Sequence, residues 1–161
     1  VGVWVLLNHF KSQSGGGGPK RSRQAQGLRN IVDRLVASGE RNIVVMGDLN
    51  EGPAVPGQPP GNLTPLFDPN GPLVEVYSLP AFDAGPRPGT FQRCAIRERL
   101  DYIFVSRDLA ALVVDGGLER RGLWGGPTNI NPPAQWAIYP DITAPEHAAS
   151  DHAAIYVDIN L

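Results

Sequence analysis

Apolar and polar positions divide the chain into short apolar runs and one long amphipathic stretch. Val1–Leu7 (VGVWVLL) is apolar without clean alternation, which predicts a strand buried on both faces with Trp4 in the core. Lys11–Arg23 contains the consecutive glycines Gly15–Gly18 and predicts a loop. From Ser22 to about Ser38, Ala25, Leu28, Ile31, Val32, Leu35 and Val36 recur three or four residues apart. That spacing predicts a helix with one core-facing stripe, stopped by Gly39. Asn42–Met46 (NIVVM) is a β-branched run and predicts a buried strand. The order strand, loop, helix, strand points to an α/β layered fold.

The pattern weakens further along. Gly52–Pro60 predicts a loop, Leu63–Tyr77 a short helix or turn, and Ala81–Gly89 another loop. Leu100–Val105 (LDYIFV) predicts a strand, as do Ala111–Val114 and the closing run Ala153–Ile159. Leu118–Ala144 is rich in Gly, Pro, Asn and Trp and has few structural signals; a loop of that length in a compact domain is usually functional. No internal repeat or domain boundary stands out.

Composition narrows the class. A chain of 161 residues fits one domain with a hydrophobic core, and a hydrophobic fraction of 42% is ordinary. No apolar run approaches the ~18 residues of a transmembrane segment. A net charge of −2 excludes a strongly basic nucleic-acid binder. The single cysteine, Cys94, excludes an intrachain disulfide framework and a Cys-rich zinc module, and reads as a small apolar filler. Glycine (19) and proline (16) exceed their usual shares of roughly 7% and 5%, as long loops on a regular scaffold require. A strand-like run at residue 1, with no leader before it, reads as a chain that starts inside a larger domain.

Four polar segments sit at the ends of apolar runs: NHFKS with His9, GDLN with Asp48 and Asn50, RLDYIFVS with Asp101, and SDHAAIYV with Asp151 and His152. Strand ends are where α/β folds gather ligand-binding groups. Asp48 and Asn50 are two apart, so an extended backbone projects both to one side. A carboxylate beside a neutral amide suits a hard cation together with an anionic oxygen. Each segment alone also has a structural reading, as a turn or a satisfied strand-end group. Their joint occurrence is the stronger signal.

In that order, NHFKS, GDLN, RLDYIFVS and SDH resemble the C-terminal half of the endonuclease/exonuclease/phosphatase superfamily, also called deoxyribonuclease-I-like. The resemblance runs from about Val3 to the end, and Thr90, in GTF before RLDY, lies where many members carry a similar segment. It implies an α/β fold, the C-terminal half of a two-sheet sandwich flanked by helices. It implies a divalent-metal-dependent phosphoester hydrolase, of nuclease or phosphodiesterase type, acting on nucleic acid, phospholipid or inositol phosphate. By resemblance, His9 contacts the scissile phosphate, Asp48 orients or deprotonates the attacking water, and Asn50 is its phosphate-binding companion. Asp101 holds His152 in its productive tautomer, facing the phosphate. Asp151 is a metal-site carboxylate, with Asp48 and Asn50 as further oxygen donors. The implied ion is Mg²⁺, with Mn²⁺ or Ca²⁺ as alternatives; magnesium prefers such oxygens to imidazole.

The chain also departs from the family pattern. The family's early asparagine and its metal-binding glutamate belong to an N-terminal half that these residues do not contain, so a partner carrying that half is expected. Glu51, next to GDLN, matches neither and reads as loop or rim. The NHFKS form leans toward the secreted members. Lys20, Arg21 and Arg23 read as a solvated helix start or a phosphate-facing patch. Trp124 and Trp136 read as loop packing or as stacking platforms, and His147 as a loop histidine or a third imidazole. The competing functional class is a catalytically silent binding module, or an inactive fragment, that keeps the same fold.

Overall fold

The computed structural model describes residues 2–124 and 136–161. Its strands are β1 (Trp4–His9), β2 (Ile43–Asp48), β3 (Leu73–Glu75), β4 (Phe82–Asp83), β5 (Asp101–Ser106), β6 (Val113–Glu119) and β7 (Ala154–Ile159). Its α-helices are α1 (Gly18–Ala37) and the single turn α2 (Arg107–Ala110). One sheet has the order β1-β2-β5-β3 and the other β4-β6-β7. The chain is α/β, with two sheets and few helices, as the sequence pattern predicts.

Alternation along the central strands builds a layer on each side of the larger sheet. Ile43 and Val45 of β2, with Tyr102 and Phe104 of β5, face α1 and pack on Ala25, Leu28 and Val32. Val44 of β2, with Ile103 and Val105 of β5, faces the smaller sheet, where Ile155, Val157 and Ile159 of β7 meet them. Both strands are therefore apolar at nearly every position, which is why NIVVM and LDYIFV are legible as buried.

Strand β1 differs from its prediction. Trp4, Val5 and Leu7 are 47%, 57% and 77% exposed, so the strand is not buried on both faces and Trp4 is not core. The physical reason is position. β1 is an edge strand, and among the described residues the apolar cluster between the sheets reaches Met46 of β2 but not the adjoining Leu7.

Other boundaries move for local reasons. Helix α1 begins at Gly18 rather than Ser22, because Pro19 occupies the first turn, where its fixed φ suits the helix and its missing N–H costs nothing. Strand β2 continues through Gly47 to Asp48. Gly47 has φ 135°, and a Cβ there would lie 1.9 Å from the Asn8 carbonyl oxygen, so only glycine carries the strand that far. Strand β6 extends well beyond Ala111–Val114. Gly116 and Gly117 in its interior hide its periodicity, and the first of them leaves room for the Phe82 ring. Strands β3 and β4 fall within stretches predicted as helix, turn or loop; at three and two residues they are too short to show a period. The central part of Leu118–Ala144 lies outside the described residues.

Candidate active site

Strand register sets the site. Parallel pairing of β1 with β2 places His9 opposite Asp48, and antiparallel pairing of β2 with β5 places Asp48 opposite Asp101. Directly paired residues point to the same face of a sheet, so three residues from distant parts of the chain stand abreast at one sheet end. His9 Nε2 lies 3.6 Å from Asp48 Oδ2, with the imidazole 75% exposed and the carboxylate 22% exposed.

Beyond β2 the chain turns tightly around the Asp48 carboxylate. The Asn50 backbone N–H donates to Asp48 Oδ1 at 2.8 Å, and its side-chain Nδ2 donates to Asp48 Oδ2 at 2.8 Å. Nδ2 also donates to the Phe10 carbonyl at 3.2 Å. Asn50 has φ 55°, a left-handed conformation that asparagine tolerates better than most residues. With Nδ2 committed twice, Oδ1 is the amide's remaining acceptor. Burial holds the Asp48 carboxyl above its usual pKa; the nearby Asp101 adds to this, while the Asn50 N–H and the two histidines oppose it.

The second half of the site is a carboxylate–imidazole pair. His152 Nδ1 lies 2.7 Å from Asp101 Oδ2, so the ring carries its proton on Nδ1 and donates it to the carboxylate. That bond, more than any other contact, raises His152 above the ordinary imidazole pKa. The Phe91 ring packs on the His152 ring with centroids 4.8 Å apart. His152 also forms an isolated antiparallel bridge with Phe91.

Hydrogen bonds join these segments edge to edge. Phe10 N donates to the Asp48 carbonyl at 2.9 Å, and Leu49 N to the Leu100 carbonyl at 2.8 Å. Thr90, fully buried, accepts the Leu100 and Asp101 N–H groups on its hydroxyl, each at 3.1 Å. Its carbonyl accepts the Ala153 N–H at 2.6 Å.

The structure thus brings His9, Asp48, Asn50, Asp101 and His152 together. Asp151 is exposed, and among the described residues it takes part in none of these contacts; it only adds to the negative field on His152. Among the described residues no group of three or more His, Cys, Asp or Glu side chains gathers closely enough to hold a metal ion. Both Asp48 oxygens already accept from Asn50. Asp48, Asn50 and Asp151 therefore do not form a complete metal centre by themselves.

Other residues take up one of the alternatives their sequence readings left open. Glu51 lies in the loop after β2, as read, but it also pairs with Arg21 Nε at 2.5 Å and accepts from Asn62 Nδ2 at 2.6 Å. Arg21 is buried against it, leaving Lys20 and Arg23 as the exposed part of that basic cluster. Trp136 packs on Cys94, Leu123 and Ala153, while His147 Nδ1 sits 3.0 Å from Thr143 Oγ1, in a separate contact. The structural part taken by Thr90, Phe91 and Arg21 is not legible in the sequence. The one available signal was the place of Thr90 in GTF.

The fold has solved counterparts. An endonuclease/exonuclease/phosphatase family protein from Bacteroides thetaiotaomicron superposes with a TM-score of 0.53 at 21% identity, covering 71% of this chain and 38% of its own. A Bacteroides vulgatus endonuclease/exonuclease/phosphatase gives 0.58 at 22%, covering 91% and 46%. The mannosyl-6-phosphatase of Bacteroides thetaiotaomicron gives 0.65 at 19%, covering 98% and 51%. The chain thus spans about half, or less, of the length of each. A search of curated proteins finds no match. A family model matches residues 3–152, the stretch that holds His9, Asp48, Asn50, Asp101 and His152, and the chain belongs to the Endonuclease/Exonuclease/phosphatase family.

Proposed function

We propose that this chain carries half of the active site of a phosphoester hydrolase. Family membership supports phosphoester hydrolysis in general. The observation that carries the reading is the convergence of His9, Asp48 and the Asp101–His152 pair at one sheet end. A phosphoester is anionic, so an attacking water must be both activated and shielded from repulsion. Asp48, kept basic by burial and aligned by two bonds from Asn50, positions and deprotonates that water. His152, whose protonated form Asp101 favours, donates to a phosphate oxygen or the leaving group. Exposed His9 donates to a second phosphate oxygen, and Asn50 supports the same anion.

The family is generally dependent on a divalent metal, and Mg²⁺ is the ion we propose. Asp48, Asn50 and Asp151 are at most part of its donor set, since they close no cage among the described residues. The remaining ligands belong, in this reading, to a complementary N-terminal half. The greater length of the solved counterparts and the uncovered face of β1 support that division. The substrate is a phosphodiester, in a nuclease or phosphodiesterase, with Leu118–Ala144 selecting it. A phosphomonoester is the second reading, favoured by the mannosyl-6-phosphatase whose fold matches over 98% of this chain.

The test is turnover with the N-terminal half supplied. Bis(p-nitrophenyl) phosphate and p-nitrophenyl phosphate separate the two substrate readings, and EDTA should abolish whichever turnover is seen. Asp48→Ala should cut the rate about 10²–10⁴-fold while the fold is kept. Turnover that survives EDTA overturns the metal reading. Absence of turnover on every phosphoester leaves the silent module.

A further inference from the structure

Resting on the hydrolase reading, we infer that Thr90 is a positioning residue that sets the Asp101–His152 pair. The two partners come from opposite ends of the fold's later half: Asp101 opens β5 of the larger sheet, and His152 lies in the segment before β7 of the smaller one. A carboxylate and an imidazole held only by their mutual bond would be no better placed than the two segments that carry them. Thr90 meets both segments. Its hydroxyl accepts the N–H groups of Leu100 and of Asp101 itself, and its carbonyl accepts the N–H of Ala153, next to His152. Phe91, the next residue, bridges His152 through the backbone and covers its ring.

The same residue reaches the Asp48 turn through one intermediate. Leu100 gives its N–H to Thr90 and its carbonyl to the Leu49 N–H, and Leu49 lies between Asp48 and Asn50. A continuous run of hydrogen bonds therefore joins the GDLN turn, the start of β5 and the SDH segment. The link between β5 and residue 90 is made by a side-chain oxygen rather than by a backbone ladder. Threonine suits the task because its hydroxyl offers two acceptor lone pairs and still has a proton to give, here to the Glu98 carbonyl at 3.4 Å. The site is fully buried, so water cannot take the place of the hydroxyl without a cavity. Thr90 touches none of the reacting atoms and acts through Asp101 and His152.

The experiment compares the chain with Thr90→Val, which keeps the shape and removes the oxygen, and Thr90→Ser, which keeps the oxygen. Amide exchange should be slow at Leu100 and Asp101 in the parent and in Thr90→Ser. It should accelerate at those two amides in Thr90→Val while α1 stays protected. The low-field proton resonance of the His152 Nδ1–H should persist in the parent and Thr90→Ser, and vanish or move upfield in Thr90→Val. With the N-terminal half supplied, Thr90→Val should lower kcat about 10–100-fold with KM unchanged, and Thr90→Ser should restore it. A folded Thr90→Val with parental exchange and an unmoved His152 resonance overturns the inference. If Thr90→Val does not fold, fast exchange at Leu100 and Asp101 in the parent, or loss of the resonance in Thr90→Ser, overturns it instead. The two spectroscopic readings require no turnover. A chain that passes them yet hydrolyses nothing keeps the positioning role and loses the hydrolase reading.

Discussion

Two part-buried carboxylates, Asp101 and Glu75, show how differently the fold can surround one chemical group. Asp101 accepts a hydrogen bond from the His152 imidazole at 2.7 Å. Glu75, on β3, faces Arg99 Nη1 at 3.1 Å, yet burial dominates and pushes its carboxyl up to about 7. The folded state therefore holds the Glu75 proton more tightly than the unfolded chain does. Its contribution to stability is complete below the unfolded pKa of 4.5 and is lost as pH rises through about 7. Glu75→Gln should reduce the slope of unfolding free energy against pH in that window by about one proton, as read from denaturant midpoints. An unchanged slope would place the proton elsewhere. At this scale the sequence was informative where chemistry and strand ends coincide. His9, Asp48, Asn50, Asp101 and His152 each sit beside an apolar run that betrays the strand. Glu51 was opaque, because its meaning depends on Arg21, 30 residues earlier, and Asn62, 11 later.

At the scale of elements, the tie between α1 and the loop after β2 does more than the helix stripe reveals. Arg21 lies in the first turns of α1, buried, with its guanidinium on Glu51 and on the carbonyls of Lys11 and Ser12. Glu51 in turn receives Asn62 on its carboxylate and the Tyr102 hydroxyl on its carbonyl. Arg21→Ala leaves the part-buried carboxylate without its cation and should cost about 3 kcal/mol, measured as a lower denaturation midpoint. Recovery of much of that loss by a second change, Glu51→Gln, would show that the stranded charge is the cause. The periodic stripe of α1 was readable because Ala25, Leu28 and Val32 obey a local spacing rule. Arg21 was not, since a cation at a helix start is normally solvated. Similarly, β2 and β5 were readable as runs, while β6 was disguised by its paired glycines and β3 by its brevity.

At the scale of the molecule, the two sheets are unequal in width. Among the described residues the larger sheet has four strands and the smaller three, and β1 extends past the apolar cluster between them. Val5 and Leu7 share a face with Val44 and Met46 yet lie outside that cluster, at 57% and 77% exposure. If a complementary half covers this face, Leu7→Lys should change the stability of the present chain by no more than about 0.5 kcal/mol. The same variant should lose association with a supplied N-terminal half, and with it any restored turnover; titration calorimetry against that half measures this directly. Equal affinity for parent and variant would send the partner elsewhere. The exposed face was hidden from sequence reading because a strand covered on one side and a strand covered on both can share the same apolar residues.

The pairing of His9 with Asp48 and of Asp48 with Asp101 has a consequence for how such a molecule can diversify. A single residue inserted within β2 would invert the side on which Asp48 emerges, whereas residues added between Lys11 and Gly17, or between Gly52 and Pro60, leave the ladder untouched. Natural variation among chains of this architecture should therefore accumulate as loop length, with the spacing inside the three paired strands kept constant.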